Sequence, residues 1–273
     1  MKNVIPFFVC LILFSSCHHG KDEIVYDFIE AANDFKTEKI SQFLADSFMF
    51  YSSTDTLNKD KYLARLDSSL EYSKLISSQR ILLSIQNFDS IIKTEEQVRS
   101  IIDSCLDVTP LFIQKRTYRF VDDKLMSITV DSVLNYEEYS KSLHENWTPF
   151  AFYVKDKYGI DDWDGIAANL RKFLSEYSNI SSSEKKQYKK YAYLQGTYVS
   201  KDGLFFRKLI FRGKRTVTIV DALLGFPFST SYELDEDLVK LKMEGLEYIF
   251  YIQDSQTLIG EGFAKGTFVK VKE

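Results

Sequence analysis

Apolar residues along the first third of the chain recur at helical spacing. Between Ile24 and Phe35 they fall three or four positions apart, which predicts an amphipathic helix. A second short helix is predicted to begin at Thr37, whose hydroxyl is placed to cap it, and a short strand follows around Phe48. After a polar turn, a third helix presents leucines on one face: Leu63, Leu66 and Leu70.

The pattern changes near residue 80, where β-branched and aromatic residues become frequent. Such stretches are typical of strands, and the chain contains them at Ile81 to Ile92, Val98 to Leu106, Leu111 to Val121 and Leu125 to Val133. A short polar turn separates the last two, so we expect these to pair as an antiparallel hairpin. Helices followed by antiparallel strands indicate an α+β fold.

Residues 136–193 have a different, helical and polar character. A helix is predicted from Tyr136 to His144, and Asn146-Trp147-Thr148-Pro149 is expected to end it. Asp161-Asp162 is placed to cap a following helix. Ser181-Ser182-Ser183-Glu184 has the pattern of a capping box, which predicts the start of a further helix.

From Leu194 the chain is predicted to be all-β, with turn signals about every 8–12 residues as in sandwiches and barrels. Gly196-Thr197-Tyr198-Val199 recurs near the end as Gly266-Thr267-Phe268-Val269. We expect these two strands to pair antiparallel and to close a small barrel, because closure removes the open edges of a sheet.

The N-terminus has the pattern of a secretory leader. Lys2 precedes an apolar run from Val4 to Phe14, which is shorter than the roughly 20 residues that span a bilayer. This predicts a signal peptide over residues 1–16. Phe14-Ser15-Ser16-Cys17 resembles the lipobox of bacterial lipoproteins, which implies cleavage before Cys17 and a lipid on its thiol. The alternatives are an ordinary cleaved signal with a chance cysteine and a short buried helix.

Residues 17–23 are interpreted as a lipidated tether. Lys21-Asp22-Glu23 looks like the charged signal that sends lipoproteins of some Gram-negative bacteria to the outer face of the outer membrane, although a solvated linker has the same composition. We therefore expect an outer-membrane lipoprotein of the cell envelope. Only Cys105 would remain unmodified in the mature chain; it is interpreted as a small core residue in a strand, and no intrachain disulfide is expected.

Two resemblances extend this organisation. Residues 24–135 resemble the nuclear-transport-factor-2-like (NTF2-like, or SnoaL-like) superfamily through KTEKISQFLADSFMFY, NKDKYLARLDSSL and FIQKRTYRFVDDKLMSITVDSV. This resemblance implies a curved antiparallel sheet wrapped on helices, forming a cone whose pocket houses an enzyme, binds a small ligand or is filled by side chains. Residues 194–273 resemble lipocalin-like barrels of small bacterial lipoproteins, with residues 136–193 as a helical connector.

Candidate chemistry is sparse. Strand alternation makes Tyr118 and Asp131 a conceivable acid–base pair in the NTF2-like pocket, but the sequence favours solvent-facing positions for Arg116, Tyr118 and Asp131. No histidine occurs between residues 24 and 135, which removes the commonest general base. Asp161, Asp162, Asp164 and Gly165 lack the ligand spacing of a calcium loop, and we expect no metal or cofactor.

Two surface features suggest ligands of another kind. Trp147 and Trp163 would stack on sugar rings if exposed, although burial is the expectation for both. Four lysines at helical spacing form a basic face that could contact anionic headgroups or glycans, although a solvated face is the commoner explanation. They are Lys185, Lys186, Lys189 and Lys190.

The sequence therefore predicts a lipid-anchored protein acting as a non-enzymatic binding or structural module. It has 273 residues and a formal net charge of −4, which gives no reason to expect nucleic acid. The expected partners are the membrane, reached through the lipid on Cys17, and a small ligand or glycan. One alternative is an acid–base enzyme that uses Tyr118 and Asp131; another is a carrier holding an apolar ligand in the barrel, between Phe205 and Tyr248.

Overall fold

The structure, a computed structural model, describes residues 20–203, 205–223, 225–243 and 245–271. The predicted signal peptide and the lipidation site at Cys17 lie outside these residues. The described chain forms two compact units. The helix-and-sheet unit contains the residues up to Glu71 together with Gln79–Val98 and Ile113–Leu134; the barrel unit contains the remainder. No described helix is long and apolar enough to cross a membrane.

These boundaries differ from the predicted domains in two respects. The predicted connector, residues 136–193, belongs to the barrel unit and is not a separate linker. Two segments within the predicted first domain, Tyr72–Ser78 and Arg99–Phe112, also belong to the barrel unit. Sequence patterns did not reveal this interleaving, because they report the period of each element and not its tertiary partners.

The helix-and-sheet unit begins with α1 (Lys21–Asn33), α2 (Thr37–Phe43), β1 (Leu44–Tyr51), β2 (Thr56–Asn58) and α3 (Lys59–Leu75). The three predicted helices are therefore present. Residues 21–23 form the first turn of α1 and not an extended tether. The predicted cap at Thr37 is wrong, because Thr37 is the first helical residue and the preceding Lys36 makes no side-chain cap.

Four longer strands complete this unit: β3 (Gln79–Phe88), β4 (Ile91–Arg99), β5 (Ile113–Val121) and β6 (Lys124–Leu134). The sheet order is β2-β1-β6-β5-β4-β3, with β1 parallel to β6 and β5 antiparallel to both β4 and β6. The predicted β5–β6 hairpin is confirmed, with Asp122 at positive φ in its turn. The α+β fold class, a helix-plus-sheet layer followed by a barrel, is also confirmed.

The predicted strand from Val98 to Leu106 is wrong. β4 ends at Arg99, and a short helix α4 (Ile101–Cys105) follows in the barrel unit. Ser100 starts this helix with a capping box: its hydroxyl accepts from the Asp103 amide, and the Asp103 carboxylate accepts from the Ser100 amide at 2.6 Å. These local hydrogen bonds satisfy the first helical turn and override the β-propensity of its isoleucines.

The core of the helix-and-sheet unit packs α1 and α2 against one face of the sheet. Its buried members are apolar or aromatic, and Phe28 of α1 meets Tyr118 of β5 edge-on at 6.0 Å between ring centroids. Tyr62 of α3 stacks on Phe50 of β1 at 5.2 Å. Such aromatic pairs add about 0.5–1.5 kcal/mol beyond their buried area. The inward face of β5 is therefore covered and not solvated.

The helical part of the barrel unit contains α5 (Tyr136–Tyr158), α6 (Trp163–Ala168), α7 (Leu170–Asn179) and α8 (Ser182–Leu194). The predicted break at Pro149 is wrong, since α5 continues through it. Pro149 cannot donate to the carbonyl of Glu145, four residues earlier. That carbonyl accepts a hydrogen bond from the Tyr193 hydroxyl at 3.4 Å, so tertiary packing replaces the missing helical bond.

Both predicted caps in this region are confirmed. The Asp162 carboxylate accepts from the Gly165 amide at 2.8 Å at the start of α6. The Ser181 hydroxyl accepts from the Glu184 amide at 3.2 Å, and the Glu184 carboxylate accepts from the Ser181 amide at 2.9 Å. The acidic cluster around Asp162 is thus a helix start.

The barrel consists of eight antiparallel strands: β7 (Gly196–Ser200), β8 (Phe206–Arg212), β9 (Thr216–Asp221), β10 (Pro227–Asp235), β11 (Leu238–Met243), β12 (Leu246–Ile252), β13 (Thr257–Gly260) and β14 (Gly266–Val271). Each strand pairs with the next along the chain. β14 pairs with β7, with Phe268 opposite Ser200 and Val271 opposite Thr197. The predicted antiparallel closure by the two Gly-Thr-aromatic segments is therefore confirmed.

Side chains fill the interior of the barrel. Phe211 and Tyr232 meet edge-on at 5.1 Å between ring centroids, and Phe250 and Phe268 meet at 5.3 Å. An apolar-ligand carrier would need an open cavity between Phe205 and Tyr248. Tyr248 instead packs on the ring of Phe206, with 5.2 Å between the ring centroids. Among the described residues, the protein core therefore occupies the space between Phe206 and Tyr248. This packing does not favour an apolar ligand inside the barrel, and the carrier alternative stays a prediction.

Candidate functional site

Strand alternation on β4 places three residues on the covered face of the sheet. Ile92, Thr94 and Glu96 are buried, whereas Lys93 and Glu95 between them point the other way and are more exposed. Register sets Ile92 beside Tyr118 of β5 and Thr94 beside Arg116. A carboxylate, a guanidinium and a phenol are thereby brought together on one buried face.

Glu96 is the centre of this group. Its Oε1 accepts hydrogen bonds from the Tyr118 hydroxyl at 2.5 Å and from the Thr94 hydroxyl at 2.7 Å. Its Oε2 lies 3.5 Å from Nε of Arg116, within ion-pair distance. Glu96 and Tyr118 are fully buried and Arg116 is 4% exposed, so water screens this pair very little.

The environment drives the pKa values of these groups apart. Burial alone would raise the pKa of Glu96, but Arg116, Arg80 and the two hydroxyl donors outweigh burial and hold that pKa below its ordinary value. Burial, and then the charge of Glu96, raises the pKa of Tyr118 well above its ordinary value. Glu96 is therefore a carboxylate and Tyr118 a neutral phenol near neutral pH.

A cavity of about 370 Å³ adjoins this group within the helix-and-sheet unit. Its wall combines apolar side chains with arginines. The residues that line it are Phe50, Ser52, Ser53, Thr54, Asp55, Tyr62, Arg65, Leu66, Ser69, Arg80, Gln114, Arg116, Val130 and Val133. This volume lies in the range of roughly 300–1,000 Å³ that is usual for small-molecule sites.

Two arginines in the wall keep buried donors without partners. Nη1 of Arg80 and Nη1 of Arg116 are both buried, and neither makes a hydrogen bond within the described part of the chain. The remaining Arg116 donors are engaged, since Nε and Nη2 both donate to Oε1 of Gln114. A buried unsatisfied donor costs about 1–3 kcal/mol. Oε2 of Glu96, behind the wall, is also buried without a hydrogen-bond donor. Among the residues that line the cavity, the unmet hydrogen-bonding capacity belongs to the two guanidinium groups.

Local structure fixes the positions of the wall residues. The Asn33 side chain holds the backbone of Arg80 from both sides: its Oδ1 accepts from the Arg80 amide at 2.7 Å, and its Nδ2 donates to the Arg80 carbonyl at 2.9 Å. At the rim, Arg65 of α3 pairs with Asp55 at 2.5 Å. The Ser52 hydroxyl accepts from the Asp55 amide at 3.0 Å, which closes the rim turn.

The predicted pairing of Tyr118 with Asp131 is absent. Asp131 accepts a hydrogen bond from the Thr117 hydroxyl at 2.7 Å, whereas Tyr118 binds Glu96. Thr117 and Tyr118 are consecutive in β5 and therefore face opposite sides of the sheet. The favoured solvent-facing interpretation is also wrong for Tyr118 and for Arg116, which are buried.

Sequence reasoning missed Glu96 and Arg80. Residues 93–97 fall between two predicted strands, so the sequence prediction does not include the alternation of Ile92, Thr94 and Glu96. That alternation was the available signal, because it places a carboxylate on an apolar face. Arg80 had no comparable signal, since its role depends on Asn33, which is distant in sequence.

Other sequence candidates lie in the barrel unit. Cys105 ends α4 and is half-buried, and burial raises the pKa of its thiol; its predicted strand position is wrong. Trp163 is 42% exposed, so expected burial is wrong for this residue, whereas Trp147 is half-buried. The two indole rings lie 5.8 Å apart between centroids.

The predicted basic face lies on α8. Lys185 and Lys190 pair with aspartates at 3.7 and 3.1 Å. Lys186 and Lys189 line a second cavity of about 430 Å³ at the end of the barrel, together with Tyr198. Ion pairs with the protein's own acidic side chains account for part of the charge of this face. Contact of the face with headgroups or glycans stays a prediction.

Comparison with known proteins finds solved structures of low sequence identity and low TM-score. No protein-family model matches the sequence, and no curated protein matches it. An NTF2-like protein of unknown function from Cytophaga hutchinsonii is 10% identical, with a TM-score of 0.35, over 43% of this chain and 93% of that chain. IdmH, a putative polyketide cyclase from Streptomyces antibioticus, is 11% identical, with a TM-score of 0.39, over 46% of this chain and 99% of that chain.

A putative ketosteroid isomerase from Kribbella flavida is 11% identical, with a TM-score of 0.33, and is covered to 74% of its length by 40% of this chain. The architecture and the cavity together define a class: an α+β protein that combines a helix-and-sheet unit, bearing a ligand-sized cavity, with a closed eight-stranded barrel.

Proposed function

We propose that this protein is a non-enzymatic binding module and that the cavity of its helix-and-sheet unit holds a small ligand. The observation that carries the proposal is a cavity of about 370 Å³ whose wall contains two buried guanidinium donors without partners. Pockets that combine an apolar wall with a few converging polar groups are the usual form of small-molecule sites. Bound ligand would satisfy donors that the protein leaves unpaired.

A binding role fits the electrostatics better than acid–base catalysis. Efficient proton transfer needs a group whose pKa lies near the working pH. The pKa of Glu96 is held below its ordinary value and that of Tyr118 is raised well above its own. Both groups therefore keep their protonation states near neutral pH, which suits a fixed electrostatic framework.

Anchoring through Cys17 is the second part of the proposal. Its support is the sequence alone: a short apolar leader and the lipobox-like Phe14-Ser15-Ser16-Cys17 that follows it. Mass spectrometry of the mature N-terminus is expected to find acylated Cys17, and a Cys17→Ser variant is expected to lose the lipid. An unmodified mature N-terminus would exclude lipidation.

Display on the outer surface of the outer membrane is a separate claim, because it rests on Lys21-Asp22-Glu23. Protease treatment of intact cells is expected to degrade the protein if it faces outward. Protection in intact cells, with degradation after the outer membrane is permeabilised, would place it on the inner face.

Ligand binding is tested with two matched valine variants. Val133 lines the cavity and is 41% exposed, whereas Val121 is 43% exposed and does not line it. Both lie in strands of the same sheet, where a Trp is well accommodated. We expect small molecules that raise the melting temperature of the wild type to lose this effect in Val133→Trp and to keep it in Val121→Trp. Equal responses in the two variants would overturn the proposal.

A further inference from the structure

We infer that the ligand of this cavity carries a carboxylate or phosphate group on an apolar body, and that Arg80 and Arg116 hold the anionic group. The inference rests on the proposed function and adds the chemical class of the ligand. It follows from three features of the wall: its charge balance, its donors without partners and the composition of its other sides.

The charge balance leaves one guanidinium uncompensated. Arg65 is paired with Asp55 at 2.5 Å, and Arg116 is paired with Glu96 at 3.5 Å. Among the described residues, Arg80 makes no ion pair of its own, although its charge acts with that of Arg116 to lower the pKa of Glu96. Three guanidinium groups therefore meet two carboxylates, and one negative charge on a ligand would balance the cluster.

The unused donors favour an acceptor with more than one oxygen. Arg80 and Arg116 lie on different strands, and each keeps a buried Nη1 without an acceptor. A neutral carbonyl offers one oxygen, whereas carboxylate and phosphate groups offer two or more that carry charge. Guanidinium groups bind such oxyanions with charge-assisted and often bidentate hydrogen bonds.

The remaining wall requires an apolar part of the ligand. Phe50, Tyr62, Leu66, Val130 and Val133 line the cavity beside the arginines. A fully hydrated inorganic anion would leave these surfaces in water, whereas an aromatic or aliphatic body would cover them. The arrangement is thus suited to an organic acid or an organic phosphate more than to inorganic phosphate.

Matched pairs of probes test this class directly. The panel contains phenylacetate and hexanoate, their neutral amides phenylacetamide and hexanamide, phenyl phosphate and inorganic phosphate. Each probe is titrated into the full-length protein at neutral pH, and binding is measured by calorimetry. We expect at least one acid or organic phosphate to bind about tenfold or more tightly than its neutral partner, since each charge-assisted bond strengthens binding. Inorganic phosphate is expected to bind more weakly than phenyl phosphate.

Arginine variants assign the anionic contact. Arg80→Gln keeps a polar side chain but removes the uncompensated charge, so the preference for the acid over its amide is expected to fall about tenfold. Arg119→Gln is the control, because Arg119 is exposed on β5 and does not line the cavity; its preference should equal that of the wild type. Arg116→Lys keeps a charge beside Glu96 but loses the planar fork. If Arg116→Lys does not fold, Arg80→Gln decides alone.

The outcomes separate the two proposals. If acids and amides bind with equal affinity, and Val133→Trp abolishes both, the cavity binds ligands but the anionic class is wrong. The class is also wrong if Arg80→Gln leaves the preference for acids unchanged. If no probe, charged or neutral, binds in a manner that Val133→Trp abolishes, the proposed function fails and the inference falls with it.

Discussion

The hydroxyl of Tyr118 donates a hydrogen bond to Oε1 of Glu96 across two neighbouring strands, with 2.5 Å between the oxygens. Both side chains are fully buried, and Glu96 also neutralises Arg116 in the cavity wall. One phenol thus orients the carboxylate that keeps a buried guanidinium in place. We therefore expect the stability of the helix-and-sheet unit and the position of Arg116 in the cavity wall to depend on the same bond.

Tyr118→Phe removes this hydroxyl and leaves the ring. We expect a loss of about 1–3 kcal/mol in the free energy of unfolding, because a buried carboxylate oxygen loses a donor. Urea denaturation followed by circular dichroism measures the change. Tyr26→Phe is the control, since Tyr26 is 51% exposed, and should alter stability by less than about 0.5 kcal/mol. Equal losses of stability in Tyr118→Phe and Tyr26→Phe would show that the hydrogen bond from Tyr118 to Glu96 does not stabilise the fold.

Glu96→Gln leaves the Arg116 charge buried without its counter-ion. We expect a loss of about 3–5 kcal/mol, the usual cost of breaking a buried pair from one side. The double variant Glu96→Gln with Arg116→Met removes both charges and should recover part of that loss. A double variant less stable than Glu96→Gln alone would show that Arg116 contributes chiefly through packing.

The depressed pKa of Glu96 gives this pair a defined pH dependence. Its pKa is lower in the folded protein than the ordinary value of 4.5. Above pH 4.5 the stabilisation is fully present; as the pH falls below 4.5 the unfolded chain binds the proton first, and the stabilisation is lost. The stability difference between wild type and Glu96→Gln should therefore narrow from pH 6 towards pH 3 in parallel urea titrations. A stability difference that stays constant over this pH range would contradict the predicted pH dependence.

Phe268→Ala tests the packed interior of the barrel. Phe268 is fully buried and its ring meets that of Phe250, so we expect a loss of about 3–5 kcal/mol. Phe263→Ala is the matched control, because Phe263 is 68% exposed; its effect should stay within about 0.5 kcal/mol. Thermal unfolding of both variants provides the comparison. Similar melting temperatures would mean that the interior is not tightly packed.

Ser181→Ala tests the capping box of α8. Loss of the hydroxyl leaves the Glu184 amide without its acceptor, and we expect a cost of about 1 kcal/mol in the free energy of unfolding. Ser182→Ala, one residue later and within the first helical turn, should be neutral or slightly stabilising. If both substitutions have the same effect, the cap does not limit the stability of this helix.

Sequence patterns predicted most elements because those elements rest on local physics. Residues close together in the sequence determine the buried face of α1, the β5–β6 hairpin and the cap at Ser181. The pairing of β7 with β14 was also predicted, although these strands are distant in sequence, because the same short pattern occurs at both ends of the barrel.

The errors occurred where local and tertiary effects disagree. Residues 101–105 are β-prone, yet the Ser100–Asp103 capping box makes them helical. Pro149 ends most helices, yet Tyr193 supplies the hydrogen bond that Pro149 cannot make. The Glu96 cluster required the register of β4 and β5, which places Thr94 beside Arg116. Register depends on the whole sheet and is therefore absent from any single stretch of sequence.

Closure of the barrel by its first and last strands has a consequence for biosynthesis. β7 acquires its second neighbour only when β14 has left the ribosome, because β14 is the strand that pairs with it. Until then the nascent sheet exposes two unpaired edges, which are templates for aggregation. A nonsense codon anywhere between residues 246 and 266 would therefore produce a protein with most of its barrel sequence but without strand β14. Its sheet edges would stay unpaired, and we expect chaperones and proteases to act on it.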